Sequence, residues 1–189
     1  MVATGIGHFG QTSPSSGTPS TLTLGISRPA VARSFSNFLS NCFTACFHGE
    51  GLGTKMVSAY NSNSNLYMEA WAGGVLKAPF PYSENIPAGM SHAQYCEYCL
   101  WYLETHLPEF VVPAENIAAI LIEPGLAEGG NWIPSRDFFQ GVRRICDEYG
   151  ILLVLDEVMT GFGRTGKPFA FQHWDITPDI LVGGKGLAG

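Results

Sequence analysis

Hydrophobic and polar positions alternate in blocks along the second half of the chain. Aliphatic runs at 117–122 and 151–155 are typical of strands that are buried on both faces of a sheet. Between them, apolar residues after Ser135 recur at helical spacing, and Gly150 is expected to end that helix. Strand, helix and strand in this order predict an α/β fold with a mostly parallel sheet and helices on both faces.

A further amphipathic helix is predicted before the first of these strands. Apolar residues recur at helical spacing from Tyr95, and Ser91 and Gln94 have the spacing of a capping box. We expect this helix to end at Pro108, because proline lacks the backbone N–H that a helix interior requires.

Residues 1–40 differ in composition from the rest of the chain. They are rich in Gly, Ser, Thr and Pro, and three prolines interrupt any long helix there: Pro14, Pro19 and Pro29. We therefore expect an irregular, poorly ordered segment over 1–40, then a folded domain over 41–189 that begins with a short strand at 42–47. Gly189 follows a strand and a Gly-rich turn, where a sheet of this kind normally continues with a helix, so we expect either a fragment or an unusually short domain.

Composition argues against several classes of partner. With 189 residues, of which 46% are apolar, the chain can build a substantial core. The net charge of −6 and the lack of a Lys/Arg cluster predict no binding to nucleic acid or to an anionic membrane surface. No apolar run approaches the ~18 residues that would span a bilayer.

The cysteines bear on compartment and on metal binding. The chain has five of them, an odd number, and no secretory signal pattern, so we expect a cytoplasmic protein, with a mitochondrial location left open. Cys96 and Cys99 have C-x-x-C spacing, but no second pair with ligand spacing accompanies them. We expect no metal site.

Charged residues follow two of the predicted strands. Asp156 and Glu157 end the run at 151–155, and Lys185 follows a short apolar run at 180–182 and two glycines. Ligands of open α/β sheets bind beyond the carboxyl ends of the strands, so Asp156 and Lys185 are expected to face one bound molecule. Alone, either residue is more often a turn cap or a solvated surface charge. Together they indicate an acid and an amine at one site.

Two phosphate-binding motifs offer alternative interpretations of this part of the chain. Residues 161–166 fit G-x-G-x-x-G, but they do not directly follow a strand and are not expected to open a helix. Residues 161–167 fit G-x-x-x-x-G-K, yet Pro168 occupies the place of the Ser or Thr hydroxyl that binds magnesium. A nucleotide-binding ATPase that acts through Lys167 is therefore the weaker interpretation.

Longer motifs in the chain resemble a known family. The sequence from Asp156 to Lys167, with Pro178-Asp179-Ile180 and Gly184-Lys185-Gly186-Leu187, is similar to the signature of class III pyridoxal-phosphate-dependent aminotransferases. The similarity extends back through 117–130 and the helix end at 146–150, and it covers roughly half of the chain. These motifs are highly specific.

The resemblance implies a fold, a cofactor and a reaction. The fold would be the large domain of a fold-type I enzyme, truncated before the C-terminal small domain, in a homodimer with active sites at the interface. The cofactor would be pyridoxal 5'-phosphate (PLP). The reaction would be transamination between an amino acid or ω-amine and a 2-oxo acid. The alternative is a degenerate, non-catalytic homologue or fragment that only binds cofactor or pairs with an intact subunit.

The resemblance also implies roles for two catalytic residues. Lys185 would bond to the aldehyde of the cofactor and, once displaced by substrate, would move the proton that leaves the substrate Cα. Asp156 would keep the pyridine nitrogen protonated, because a carboxylate and a positive charge stabilise one another. The protonated ring is the electron sink of the reaction.

Other residues of the site carry over by the same similarity. Val158 would pack on one face of the cofactor ring, and Phe47 would stack on the other within a Phe47-His48-Gly49 motif. Glu128 would bind substrate, by pairing with a mobile arginine. Met159 stands where several members have a glutamine.

The phosphate anchor is the least regular part of the resemblance. Gly17 and Thr18 correspond to the pair that binds the cofactor phosphate at a helix N-terminus. Pro19 and Pro29 interrupt the long helix that follows this pair in the family.

Overall fold

The computed structural model describes residues 22–25, 39–60 and 73–187. These residues form a six-stranded sheet in the order β1-β6-β5-β4-β2-β3. The strands are β1 (Leu22–Gly25), β2 (Leu39–Phe43), β3 (Val75–Ala78), β4 (Ile117–Ile122), β5 (Leu152–Asp156) and β6 (Ile180–Gly183). All neighbouring pairs are parallel except β1 with β6, so the expected α/β fold with a mostly parallel sheet is confirmed.

Four α-helices accompany the sheet in the described part of the chain: α1 (Leu52–Val57), α2 (His92–Trp101), α3 (Leu107–Phe110) and α4 (Arg136–Tyr149). The helix predicted after Ser135 is α4. The Ser135 hydroxyl accepts the Phe138 N–H at 3.3 Å, and Gly150 ends the helix with a left-handed φ of 65°. Local chemistry alone therefore determined both ends of this element.

The helix that begins at Ser91 is longer than predicted. Its capping box is present, with Gln94 N–H donating to the Ser91 hydroxyl at 3.3 Å and Ser91 N–H donating to Gln94 Oε1 at 2.8 Å. Pro108 does not end it, because a π-helical segment, Tyr102–His106, connects α2 to α3. Such a segment changes the hydrogen-bond spacing of the helix, so the missing N–H of Pro108 is tolerated within the helical segment.

The N-terminal expectation needs correction where the structure describes it. Leu22–Gly25, within the segment expected to be irregular, forms the antiparallel edge strand against β6. The strand predicted over 42–47 lies earlier, at Leu39–Phe43, and the chain then turns at Ala45, which has a φ of 65°. Both strands are held by partners distant in sequence, which a local pattern of residues does not reveal.

The core lies between the sheet and the helices. Phe43 of β2, Phe80 and Phe138 of α4 are fully buried and pack edge to face, with ring centroids 5.8 to 6.1 Å apart. Phe139 stacks on Trp174 with centroids 4.2 Å apart. These contacts fix α4 against the sheet and thereby fix the strands whose ends carry the polar residues.

Within the described residues, none of the helices combines the length and apolar character needed to cross a membrane.

Candidate active site

The five parallel strands of the described sheet all have their carboxyl ends on the same side, and a polar residue or turn follows four of them. Asp156 is the last residue of β5, and Lys185 follows β6. Glu123 follows β4, and the Phe47-His48 turn lies just beyond β2. The parallel pairing of β6, β5, β4 and β2 explains this convergence, because parallel strands present their carboxyl ends together.

Asp156 is held by contacts on both of its carboxylate oxygens. His48 Nδ1 lies 2.8 Å from Oδ2, and the Val158 backbone N–H donates to Oδ1 at 3.1 Å. The two side chains are buried, with exposures of 3% for His48 and 9% for Asp156. When Asp156 is a carboxylate, which only accepts hydrogen bonds, His48 Nδ1 is the donor of this contact. This contact fixes the orientation of the Asp156 carboxylate.

Lys185 lies on the neighbouring strand end. Asp156 and Val182 are register partners, and Glu157 N–H donates to the Val182 carbonyl at 2.8 Å. Lys185, three residues beyond Val182 in the chain, has a left-handed φ of 44°. Its exposed amine donates to Met159 Sδ at 3.1 Å. The structure thus brings the strand ends that carry the two predicted catalytic groups side by side.

The Val158 side chain, which follows β5, contacts the turn that follows β6. A Cβ built on Gly184 would lie 3.2 Å from Val158 Cγ1, so the backbone next to Lys185 touches this side chain directly. Any larger residue at 184 would push Val158 or the Lys185 turn out of place.

Phe47 and His48 are adjacent in the chain, but their side chains contact different residues. The Phe47 ring packs edge to face on Tyr60, with centroids 5.1 Å apart. His48 binds Asp156 through Nδ1, while its Nε2 is buried and has no hydrogen-bond partner among the described residues. The family resemblance implies that both residues lie near the cofactor, which stays a prediction. It did not predict the His48–Asp156 contact, because a local motif contains no information on strand order.

Glu123 is a buried carboxylate that the sequence analysis did not single out. It is 4% exposed and accepts the Phe47 N–H at 2.7 Å and the Ala127 N–H at 3.1 Å. Burial raises the pKa of Glu123, while these two backbone donors act in the opposite direction. Its position directly after a buried strand was the one available sequence signal.

Glu157 points to a different part of the molecule from its neighbour Asp156. It is fully buried and accepts the backbone N–H groups of Ala170 and Phe171 at 2.6 and 2.9 Å. Burial raises the pKa of Glu157. Glu157 therefore anchors the segment at 169–171, and Asp156 alone of the two contacts His48.

Three of the predicted site residues have no described contact in the site. Glu128 is exposed in the loop that follows β4, at the same edge of the sheet. Gly17 and Thr18, the predicted phosphate anchor, lie outside the described residues.

The structure does not support the ATPase interpretation. Residues 161–167 lie in a series of turns that opens no α-helix, and the Lys167 amine donates to the Gln172 carbonyl at 2.7 Å. A phosphate-binding loop requires its lysine to be free for phosphate and its N–H groups to precede a helix.

Comparisons with known proteins decide the family. The sequence profile of Aminotransferase class-III matches residues 38–189. The chain belongs to the class III aminotransferases. It is 40% identical over 149 residues to a probable 4-aminobutyrate aminotransferase of Bacillus subtilis (strain 168), and 35% identical over 150 residues to an alanine/serine racemase of Pyrococcus horikoshii. Each alignment covers 77% of this chain, but 33% and 32% of those proteins.

Solved structures agree with this assignment. The taurine:2-oxoglutarate aminotransferase of Bifidobacterium kashiwanohense, solved in complex with PLP and glutamate, matches with a TM-score of 0.66 and 30% identity. The match covers 77% of this chain and 32% of that one. This class III aminotransferase chain thus spans about a third of the length of the relatives that it matches.

Class III aminotransferases depend on PLP, and the residues of this chain fit that cofactor. The buried Asp156 carboxylate, held by His48 and the Val158 N–H, suits a protonated ring nitrogen. The Lys185 amine at the adjacent strand end suits an aldehyde carbon. The donor set is an acid and an amine, as the cofactor requires.

Proposed function

We propose that this class III aminotransferase chain is the PLP-binding part of an enzyme that transfers an amino group between an amino acid or ω-amine and a 2-oxo acid. The observation that carries the proposal is the pairing of β5 with β6. It sets the strand ends that precede Val158 and Lys185 next to each other, and Val158 contacts Gly184 directly.

PLP supplies an electron-withdrawing ring and an aldehyde that exchanges amines. Lys185 would hold this group through its aldehyde, and its amine would be the base that moves the proton of the substrate Cα. Asp156 would hold a proton at the ring nitrogen, and His48 keeps the Asp156 carboxylate in position. Val158 and Phe47 would pack on the two faces of the ring and would exclude water from them.

The contacts of the lysines favour Lys185 as the reactive amine. The chain has four lysines: Lys55, Lys77, Lys167 and Lys185. Lys77 and Lys167 donate to backbone carbonyls, and Lys55 pairs with Glu50. In the described part of the chain, the Lys185 amine instead donates to a thioether sulfur, which is a weak acceptor. An incoming aldehyde therefore has only one weak hydrogen bond to replace at the Lys185 amine.

Reduction of the bound cofactor tests the proposal. The protein is mixed with PLP, reduced with borohydride and digested, and the modified peptide is identified by mass spectrometry. We expect the adduct on Lys185 and none after Lys185→Ala. Modification centred on Lys55, Lys77 or Lys167, or no modification at all, would overturn the proposal.

Product analysis then separates the possible activities. Aminotransferase action converts the amino donor to an oxo compound, and adding a 2-oxo acid regenerates the cofactor. A non-catalytic homologue would label at Lys185 and yield no oxo product. Since one relative is an alanine/serine racemase, chiral analysis of recovered donor is included; racemisation without oxo product would refute transamination.

We also propose a homodimer in the cytoplasm. The homodimer is supported by family membership. Light scattering of the purified protein tests it, and the mass of a single chain would contradict it.

The cytoplasmic location is supported by the cysteines, which are all free and buried: Cys42, Cys46, Cys96, Cys99 and Cys146.

A further inference from the structure

Glu123 connects two loops that leave neighbouring strands. One carboxylate oxygen accepts the Phe47 N–H in the turn beyond β2, and the other accepts the Ala127 N–H in the loop after β4. Each oxygen has its own backbone donor, so the side chain acts as a clamp with two independent attachment points. Because Glu123 is only 4% exposed, water does not compete effectively for either hydrogen bond.

A second contact joins the same two loops. A Cβ built on Gly129 would lie 2.6 Å from the Ala45 carbonyl oxygen and 3.0 Å from the Ala45 Cβ. The loop after β4 thus lies directly on the turn after β2. The Leu126–Trp132 bridge closes this loop at its base, with Leu126 N–H donating to the Trp132 carbonyl at 3.0 Å.

Both loops carry residues of the proposed site. Phe47, whose N–H is bound by Glu123, is followed by His48, which contacts Asp156 at 2.8 Å. Ala127, bound by the other oxygen, is followed by Glu128. We propose that Glu123 is a positioning residue that fixes the Phe47-His48 turn and the Glu128 loop relative to one another. This inference rests on the proposed function.

The two-donor geometry requires a carboxylate. Glutamine is nearly the same size, but only its oxygen accepts, so Glu123→Gln keeps one backbone contact and turns its NH₂ group towards the other N–H. Glu123→Ala removes both contacts and leaves two buried N–H groups without partners. The effect on the site is therefore expected to increase from Gln to Ala.

Glu157 offers a matched control. It is also a buried carboxylate that accepts two backbone N–H groups, those of Ala170 and Phe171, but these lie in the segment at 169–171. Glu157→Gln should therefore destabilise the fold to a comparable extent. It should not change the position of the Phe47-His48 turn relative to the Glu128 loop. All variants are measured well below the lowest of their unfolding temperatures.

Amide hydrogen exchange tests the clamp in the protein without cofactor. In Glu123→Gln we expect the amide that loses its acceptor, that of Phe47 or Ala127, to exchange faster, and in Glu123→Ala we expect both to do so. In Glu157→Gln we expect faster exchange at Ala170 or Phe171 instead. Unchanged exchange at Phe47 and Ala127 in Glu123→Gln overturns the clamp, whether or not the protein binds PLP.

PLP binding tests the consequence for the site. We expect Glu123→Gln to weaken PLP binding roughly tenfold, the effect of one lost charge-assisted hydrogen bond, and to change the visible circular dichroism of the bound cofactor. Glu157→Gln should leave both unchanged. Wild-type affinity and dichroism in Glu123→Gln, with Lys185 still labelled by borohydride, would overturn the positioning role alone. Absence of Lys185 labelling in the wild-type protein would instead overturn the proposed function.

Discussion

Asp156 and Glu157 show how adjacent residues of one type take different roles. They alternate across the end of β5, so one carboxylate meets His48 and the other meets the N–H groups of the 169–171 segment. The sequence identified the pair but could not assign the roles beyond the resemblance, because the partners that distinguish them, His48, Ala170 and Phe171, lie at least 13 positions away.

Asp156→Asn is expected to weaken PLP binding by about tenfold or more. Asparagine preserves the shape of the side chain but removes the charge, and a hydrogen bond to a charged group is worth roughly 1.5–3 kcal/mol. Affinity is measured by titration of PLP, followed by borohydride labelling at Lys185. Asp175→Asn, at an exposed position, serves as the control and should bind normally. Equal affinity of wild type and Asp156→Asn would contradict the role given to Asp156.

Glu157 gives the protein a predictable pH dependence. Burial raises its pKa above the ordinary value of 4.5, so the folded state holds the proton more tightly than the unfolded state. The stability that this group contributes is therefore complete below pH 4.5 and is lost as pH rises through the raised pKa. In Glu157→Gln this titration is absent.

Urea unfolding between about pH 4 and pH 8 tests this expectation. The free energy of unfolding of the wild type, relative to Glu157→Gln, should be greatest at the acid end and should decrease as pH rises. A relative stability that grows with pH would show that the backbone donors outweigh burial at this site.

Individual elements were largely predictable where local chemistry defines their ends. α4 begins at the Ser135 cap and ends before Gly150, and β4 has the predicted bounds, because these signals lie within the element itself. The helix after Ser91 was predicted too short, since the π-helical segment that accommodates Pro108 has no comparable sequence signature.

β6, which leads to Lys185, depends on an ion pair at its beginning. Asp179 is buried and accepts from Arg143 of α4 at 2.7 Å and from the Leu153 N–H of β5 at 2.8 Å. Arg143 has a second carboxylate partner in Asp147, at 3.0 Å. The Asp179 carboxylate thus joins α4, β5 and β6.

Asp179→Ala is expected to destabilise the fold strongly. Removing one partner of a buried ion pair costs about 3–5 kcal/mol, and the remaining Asp147 contact places this case near the lower value. Asp175→Ala breaks an exposed pair with Arg136 and should cost less than about 1 kcal/mol. Chemical denaturation compares the two variants. Equal losses of unfolding free energy in the two variants would contradict the role of Asp179 in joining α4, β5 and β6.

At the scale of the whole molecule, the order of the strands creates the site. β4 lies between β2 and β5, so the turn after β2 must extend beyond the end of β4 for His48 to reach Asp156. Glu123, at the end of β4, occupies the position between them. A parallel sheet thus brings together residues as far apart in the chain as positions 48 and 156.

The rates of amide hydrogen exchange should follow the order of the strands in the sheet. β4 and β5 each pair with a parallel strand on both sides, whereas β3 lies at an edge of the described sheet. We expect the amides of β4 and β5 to exchange slowest and those of β3 fastest among the parallel strands, because interior strands open only in large unfolding events. Mass-spectrometric exchange measures this directly. Equal protection of β3 and β5 would contradict the strand order.

The sequence by itself determined the buried strands, the caps of the long helices and the motifs that mark a class III aminotransferase, because each of these depends on residues close together in the chain. Only the tertiary structure decided that Leu22–Gly25 pairs with β6, that His48 binds Asp156 and that Glu123 joins two loops. These contacts arise from strand order and register, which depend on the packing of the whole core and leave no periodic pattern in any one segment.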